Sequence, residues 1–90
     1  MSQANVDPDE LRRFANNLKG FNTELSESLS SLHGQLLGLG QSWRDREHEK
    51  FSEEFEATMQ VLTRFIEVAE EHVPFLMRKA DRAEEYLRQR

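Results

Sequence analysis

The run His48-Glu49-Lys50-Phe51-Ser52 opens like the helical zinc-protease motif, in which two histidines one turn apart bind the metal and the glutamate acts as base. Four residues after His48 stands Ser52 instead of a second histidine, so the ligand pair such a metal needs is incomplete. His33, His48 and His72 share no i, i+4 spacing. A di-iron bundle requires paired Glu-x-x-His motifs, and only Asp45-x-x-His48 comes near one. Gly38-x-Gly40 lacks the third glycine of a dinucleotide loop and follows a helical pattern, not a strand. Ser26, Ser28, Ser30 and Ser31 have no base arranged beside them to make one a nucleophile. These groups read as solvated polar surface, and so does the run Glu53, Glu54, Glu56. No catalytic residue, metal site or cofactor is expected.

Size and charge narrow the remaining classes. Ninety residues without a cysteine form one small domain, which neither disulfides nor a thiolate metal site can brace. Association with another chain is the remaining usual device. The net charge of -5 argues against nucleic-acid binding, and no apolar run approaches a membrane span. The start, "MSQANVDPDE", carries neither the basic nor the apolar segment of a cleaved signal peptide. Trp43 to Val73 holds four Lys/Arg against nine Asp/Glu, whereas Pro74 to Arg90 holds five against three. The basic last segment is therefore suited to the acidic middle of a partner chain.

The elements that must position these residues are helical. Residues 1–6 are expected to be disordered, and 7–90 to form a single helical-hairpin domain. Asp7 can cap, Pro8 suits the first helical position, and Glu10 completes a capping box. Leu11, Phe14, Leu18, Phe21, Leu25, Leu29, Leu32, Leu36 and Leu39 then recur in steps of three and four, giving a first helix over about 8–38. The two steps of four from Phe21 to Leu29 predict a stutter. Gly34, Gly38 and Gly40 weaken the helix toward a turn at 38–42. Ser42 can cap a second helix over about 43–89, with Asp45 reaching back. Phe51, Phe55, Thr58, Leu62, Phe65, Ala69, Val73, Leu76, Ala80, Ala83 and Leu87 form its inward face, widened by Met59 and Ile66. The fold class is all-α: an antiparallel hairpin that forms a four-helix bundle as a dimer.

With the turn centred near Gln41, Pro8 falls beside residue 74, where Pro74 should kink or break the second helix. Residues 75–90 would then run roughly 24 Å past the first helix. That places Phe75, Leu76, Ala80, Ala83 and Leu87 in a dimer interface, each tail running toward the turn of the other chain.

Trp43 stands alone at the turn, either as a plug packed over Gly38 and Gly40 or as a recognition mark, and the two readings are compatible. With Tyr86 near the end of the second helix, it gives the chain its resemblance to the Trp-x-Gly helical-hairpin family, the early-secreted-antigen type of type VII secretion substrate. The likeness runs from Asp7 onward. It implies a noncatalytic dimeric four-helix bundle, exported without a cleaved signal peptide, that acts as an effector or as a partner for other exported proteins. It also implies that Trp43 and a partner's Tyr86 form one surface for the secretion machinery. Two positions depart from the pattern: Asp45 replaces the family glycine, and Arg90 stands where the export motif has an acid. The partner is then a second copy or a related hairpin. The alternative is a cytoplasmic helical adaptor or assembly component that is not exported.

Overall fold

The computed structural model describes residues 6–89, which form two helices, α1 (Pro8–Leu39) and α2 (Arg46–Arg88), folded back as a hairpin about 67 Å long. Arg90 and most of the 1–6 segment lie outside the described residues.

Both starts are set by aspartates. The Asp7 carboxylate accepts from the backbone N–H of Asp9 at 2.9 Å and of Glu10 at 3.4 Å, with Pro8 in the first turn. The α2 cap is Asp45, which accepts from the His48 N–H at 3.0 Å, and not Ser42. Ser42 is held by the preceding helix: its N–H donates to Leu39 O at 3.0 Å, and Trp43 N–H donates to the same carbonyl at 2.8 Å. The second helix therefore starts at Arg46, later than position 43, and the connection is 40–45. Gly40 ends α1 in the right-handed region (φ -62°, ψ -13°), so it supplies no left-handed stop. Its value is space, since a Cβ there would sit 3.3 Å from Leu37 O and 3.5 Å from the His48 ring.

The seam between the helices corrects the expected inward face. On α1 it passes through Pro8, Leu11, Ala15, Leu18, Asn22, Leu25, Leu29 and Leu36, all buried or half-buried. Phe14 and Phe21, one position earlier than Ala15 and Asn22, stand 57% and 51% exposed. With Asn22 in place of Phe21 the steps alternate three and four from Pro8 to Leu29, so the stutter expected between Phe21 and Leu29 does not occur. On α2 the seam runs Phe55, Met59, Leu62, Ile66, Ala69, Val73, Leu76, Ala80 and Ala83, again alternating three and four, the spacing of an antiparallel coiled coil. Phe51, Thr58 and Phe65 are exposed on its flank. The reason is steric: alanines at Ala15, Ala69, Ala80 and Ala83 let the helices approach closely where phenylalanine would hold them apart.

Of the two outcomes expected at Pro74, a kink or a break, the break does not occur: α2 is continuous through it to Arg88. Pro74 and Glu70, whose carbonyl loses its usual donor, both lie on the exposed face, where that carbonyl is open to solvent. Nor do residues 75–88 project without an intrachain partner. Arg12 Nη2 donates to Asp81 Oδ1 at 2.8 Å and to Glu84 Oε1 at 2.6 Å, and Ala80 and Ala83 are 0% and 9% exposed within the hairpin. The later start of α2 moves the pairing toward the C-terminus. Side chains also lean toward the N-terminus of their own helix, so Arg12 reaches away from the turn while Glu84 reaches back toward it.

Candidate protein-binding surface

Two flanks border the seam, and they differ in chemistry. On one, residues from both helices pair by charge. The Arg12 clamp lies at the far end, and near the turn His33 Nε2 is 3.4 Å from Glu56 Oε2. Hydrogen bonds from Arg12 to Asp81 and Glu84 raise the guanidinium pKa further above its ordinary value. Beside Arg88 and Gln89, the Glu85 carboxyl is lowered by their hydrogen bonds, and Arg88 is raised by the same pair.

The other flank is aromatic. Phe14 and Phe21 on α1 and Phe51, Phe65 and Phe75 on α2 lie along it, leaving only Phe55 of the six phenylalanines in the seam. The Phe21 and Phe65 rings meet edge to face across the helices at 6.3 Å. Below them a groove of about 320 Å³, lined by Phe14, Leu18, Phe65, Val68, His72, Phe75 and their neighbours, presents almost wholly apolar atoms. His72 Nδ1 donates to its own Val68 carbonyl at 2.8 Å, which ties that ring back to its helix. Five exposed phenylalanines on one side of a 90-residue chain exceed the scatter normal for a monomer surface and mark a surface for another protein.

At the turn this flank meets Trp43. The half-exposed indole lies 4.9 Å from the His48 ring and 6.0 Å from Phe51, which stacks on Phe55 at 5.6 Å. His48, not Trp43, covers Gly40, and its Nε2 is 3.3 Å from Ser52 Oγ. No side chain comes within 4 Å of a Cβ position at Gly38. Trp43 therefore does not pack over Gly38, and at Gly40 the His48 ring is the nearest side chain; the indole continues an aromatic stack that starts α2. Asp45 holds the base of this stack through its cap bond to His48.

The structure places the other expected residues apart from Trp43. Tyr86 is 53% exposed at the opposite end of the rod, so one chain does not bring it to Trp43. Phe75 and Leu87 are exposed, Leu76 lies between, and Ala80 and Ala83 belong to the hairpin seam, which withdraws them from a partner surface. Sequence reasoning missed Phe14, Phe21, Phe51 and Phe65 as surface because their three-four spacing placed them on the inward face. The available signal was a second stripe on α2, Phe51, Thr58, Val61, Phe65, Val68, His72 and Phe75, interleaved with the seam at the same spacing. Among the described residues no group of three or more His, Asp or Glu is placed to hold a metal, and no helix is long and apolar enough to cross a membrane.

Comparison with known proteins follows the same line. The family model of WXG100, "proteins of 100 residues with WXG", matches residues 3–86. A proline-to-alanine mutant of the secreted protein EsxB from Bacillus anthracis str. Sterne is similar in structure, with a TM-score of 0.80 and 28% identity over 94% of this chain and 96% of that one. Wild-type EsxB from the same organism gives a TM-score of 0.75 and 29% identity over 91% and 88%. No curated protein matches the chain.

Proposed function

The chain belongs to the WXG100 family, and from that premise we propose that it is a noncatalytic, protein-binding hairpin of the type VII secretion-substrate type, working as one half of a four-helix bundle. The observation that carries this reading is the phenylalanine flank, which runs from the Trp43 stack to Phe75 and which its own chain leaves uncovered. Closing it against another hairpin makes four helices from two and buries the apolar surface that a chain this small otherwise exposes. A partner lying antiparallel carries its tail to the Trp43 end. There its exposed Tyr86 completes the composite surface offered to the secretion machinery, and the protein leaves the cell without a cleaved signal peptide.

The cytoplasmic adaptor is favoured by one specific feature. Arg90 follows Tyr86 by four residues in the sequence, where the export motif has an acid, so a receptor site for that acid meets a cation. A mismatched charge in a desolvated contact costs several kcal/mol. The test is the amount of protein in the culture supernatant of a host with an active type VII system, for the native chain, Arg90→Glu, Tyr86→Ala and Trp43→Ala. Weak export of the native chain, a gain with Arg90→Glu and loss with either aromatic substitution supports the secreted reading. Retention of all four inside the cell, with pairing intact, supports the adaptor.

A further inference from the structure

We propose that Arg12 is a positioning residue for Tyr86: it latches the last turns of α2 onto α1, so that the tyrosine is offered on a helix that is already formed. Tyr86 is offered to the secretion machinery only on the reading above, on which this proposal rests.

The apolar seam fades before it reaches Tyr86. Ala80 and Ala83 are the last buried residues of α2, at 0% and 9% exposure, and every described side chain from Glu85 onward is exposed. A helix end without burial frays, because its last carbonyls have no partner within the helix and little packing opposes local opening. Yet α2 stays helical to Arg88, and the Gln89 N–H returns to Glu85 O at 3.1 Å.

Arg12 is what ties this end to α1. Its Nη2 donates to Asp81 Oδ1 at 2.8 Å and to Glu84 Oε1 at 2.6 Å, acceptors one turn apart on α2, while Nη1 lies 3.7 Å from Asp9 Oδ1 on its own helix. Three carboxylates thus share one guanidinium, whose side chain is 29% exposed, the least of the ion-pairing groups among the described residues. Two short charge-assisted bonds in a partly desolvated place make a firmer tie than a single exposed pair. Local bonds continue it along the tail: Arg88 Nη2 donates to Glu85 Oε1 at 2.7 Å and Gln89 Nε2 to Glu85 Oε2 at 3.0 Å.

Latch and tyrosine face opposite ways. At about 100° per residue, Tyr86 stands roughly 200° around α2 from Glu84. It follows Phe75 by eleven residues, about three turns, which puts it on the aromatic side. Arg12 therefore grips the tail by its charged side and leaves Tyr86, 53% exposed, free to be read. A receptor that meets a formed helix is spared the cost of ordering one.

Full-length chains carrying Arg12→Gln, Arg12→Lys or, as a control at an exposed neighbour, Arg13→Gln are compared by amide exchange and by export from a host with an active type VII system, the export arm in both the native and the Arg90→Glu background. Arg12→Gln should raise exchange across 84–88 on the order of tenfold, leave helicity and exchange around Ile66 unchanged, and lower export. Arg12→Lys, which keeps the charge, should restore most of both, and Arg13→Gln should alter neither. Arg12→Glu combined with Asp81→Arg and Glu84→Arg should recover the protection that Arg12→Glu alone loses. Unchanged protection at 84–88 in Arg12→Gln overturns the latch. Exchange raised equally around Ile66 makes Arg12 a support of the whole hairpin and overturns positioning. Raised exchange at 84–88 with undiminished export overturns the presentation of Tyr86. Export of no chain, native or Arg90→Glu, overturns the secretion reading, while amide exchange still decides the latch.

Discussion

The two flanks of the hairpin border the same seam and are built from the same two helices, yet one is completed by its own chain and the other is not. On the charged flank, Arg12 closes on Asp81 and Glu84, and His33 on Glu56. On the aromatic flank, the single cross-helix contact between rings among the described residues is Phe21 with Phe65, and both remain about half exposed. The difference separates two tasks that composition alone merges. Small residues in the seam and ions on one side hold the hairpin together, while most of the large apolar residues stay exposed and are left open for the proposed association.

The comparison is broken most forcefully by adjacent positions on α2. Ile66 is 8% exposed in the seam, and Phe65 beside it is 46% exposed on the aromatic flank. Ile66→Ala should destabilise the hairpin by about 2–5 kcal/mol in chemical denaturation. Phe65→Ala should change the unfolding of an isolated hairpin far less, but should weaken association on the order of thirtyfold, as expected for an interface anchor worth about 2 kcal/mol. If Phe65→Ala proved the more damaging to hairpin stability, the division of labour would be wrong.

Size at the seam gives the next contrast. Ala80 is fully buried, so Ala80→Leu should force the helices apart and cost about 1–3 kcal/mol, measured by thermal unfolding. The same enlargement at exposed Ala57 should be close to neutral. Equal effects would mean that close approach does not depend on the alanines.

Smaller again is the cap under the Trp43 stack. Asp45→Ala removes the bond to the His48 N–H and should cost about 0.5–2 kcal/mol. Unchanged stability would show that the aromatic stack alone fixes the start of α2.

The smallest effect concerns acid at the far end. Because the folded pKa of Glu85 is lowered by Arg88 and Gln89, its contribution is fully present above the ordinary glutamate pKa and is lost as the pH falls through the lowered folded value. Amide exchange over 85–89 should therefore rise in that window while exchange around Ile66 stays slow. Flat protection at 85–89 across that range would remove the ion pair as the tie holding the last turn.

The sequence made the helices legible and left their faces ambiguous. Asp7 and Pro8 announce the start of α1, and three-four periodicity identifies both helices. The same periodicity fits Phe14 and Phe21 as well as Ala15 and Asn22, and hydrophobicity ranks phenylalanine first. The seam instead takes Ala15 and the fully buried Asn22, whose amide has no hydrogen-bond partner among the described residues, because close approach requires small or slender side chains. Pairing register was misjudged for a related reason. Ser42 and Asp45 are both competent caps, and choosing the earlier one shortens the turn and strands residues 75–90, of which the structure seats Ala80, Asp81, Ala83 and Glu84 against α1. The expected binding surface followed from that error: it took in the tail, Phe75 included, while Phe14, Phe21, Phe51 and Phe65 fell on the expected inward face.

Light scattering of the purified full chain, native and Phe65→Glu, tests the central claim most directly. The account predicts a native mass at micromolar concentration of twice the 10.6 kDa chain, and a single-chain mass for Phe65→Glu with its helicity retained. A Phe65→Glu protein that keeps the native dimer mass would contradict it, since the aromatic flank would then not be the surface that pairs.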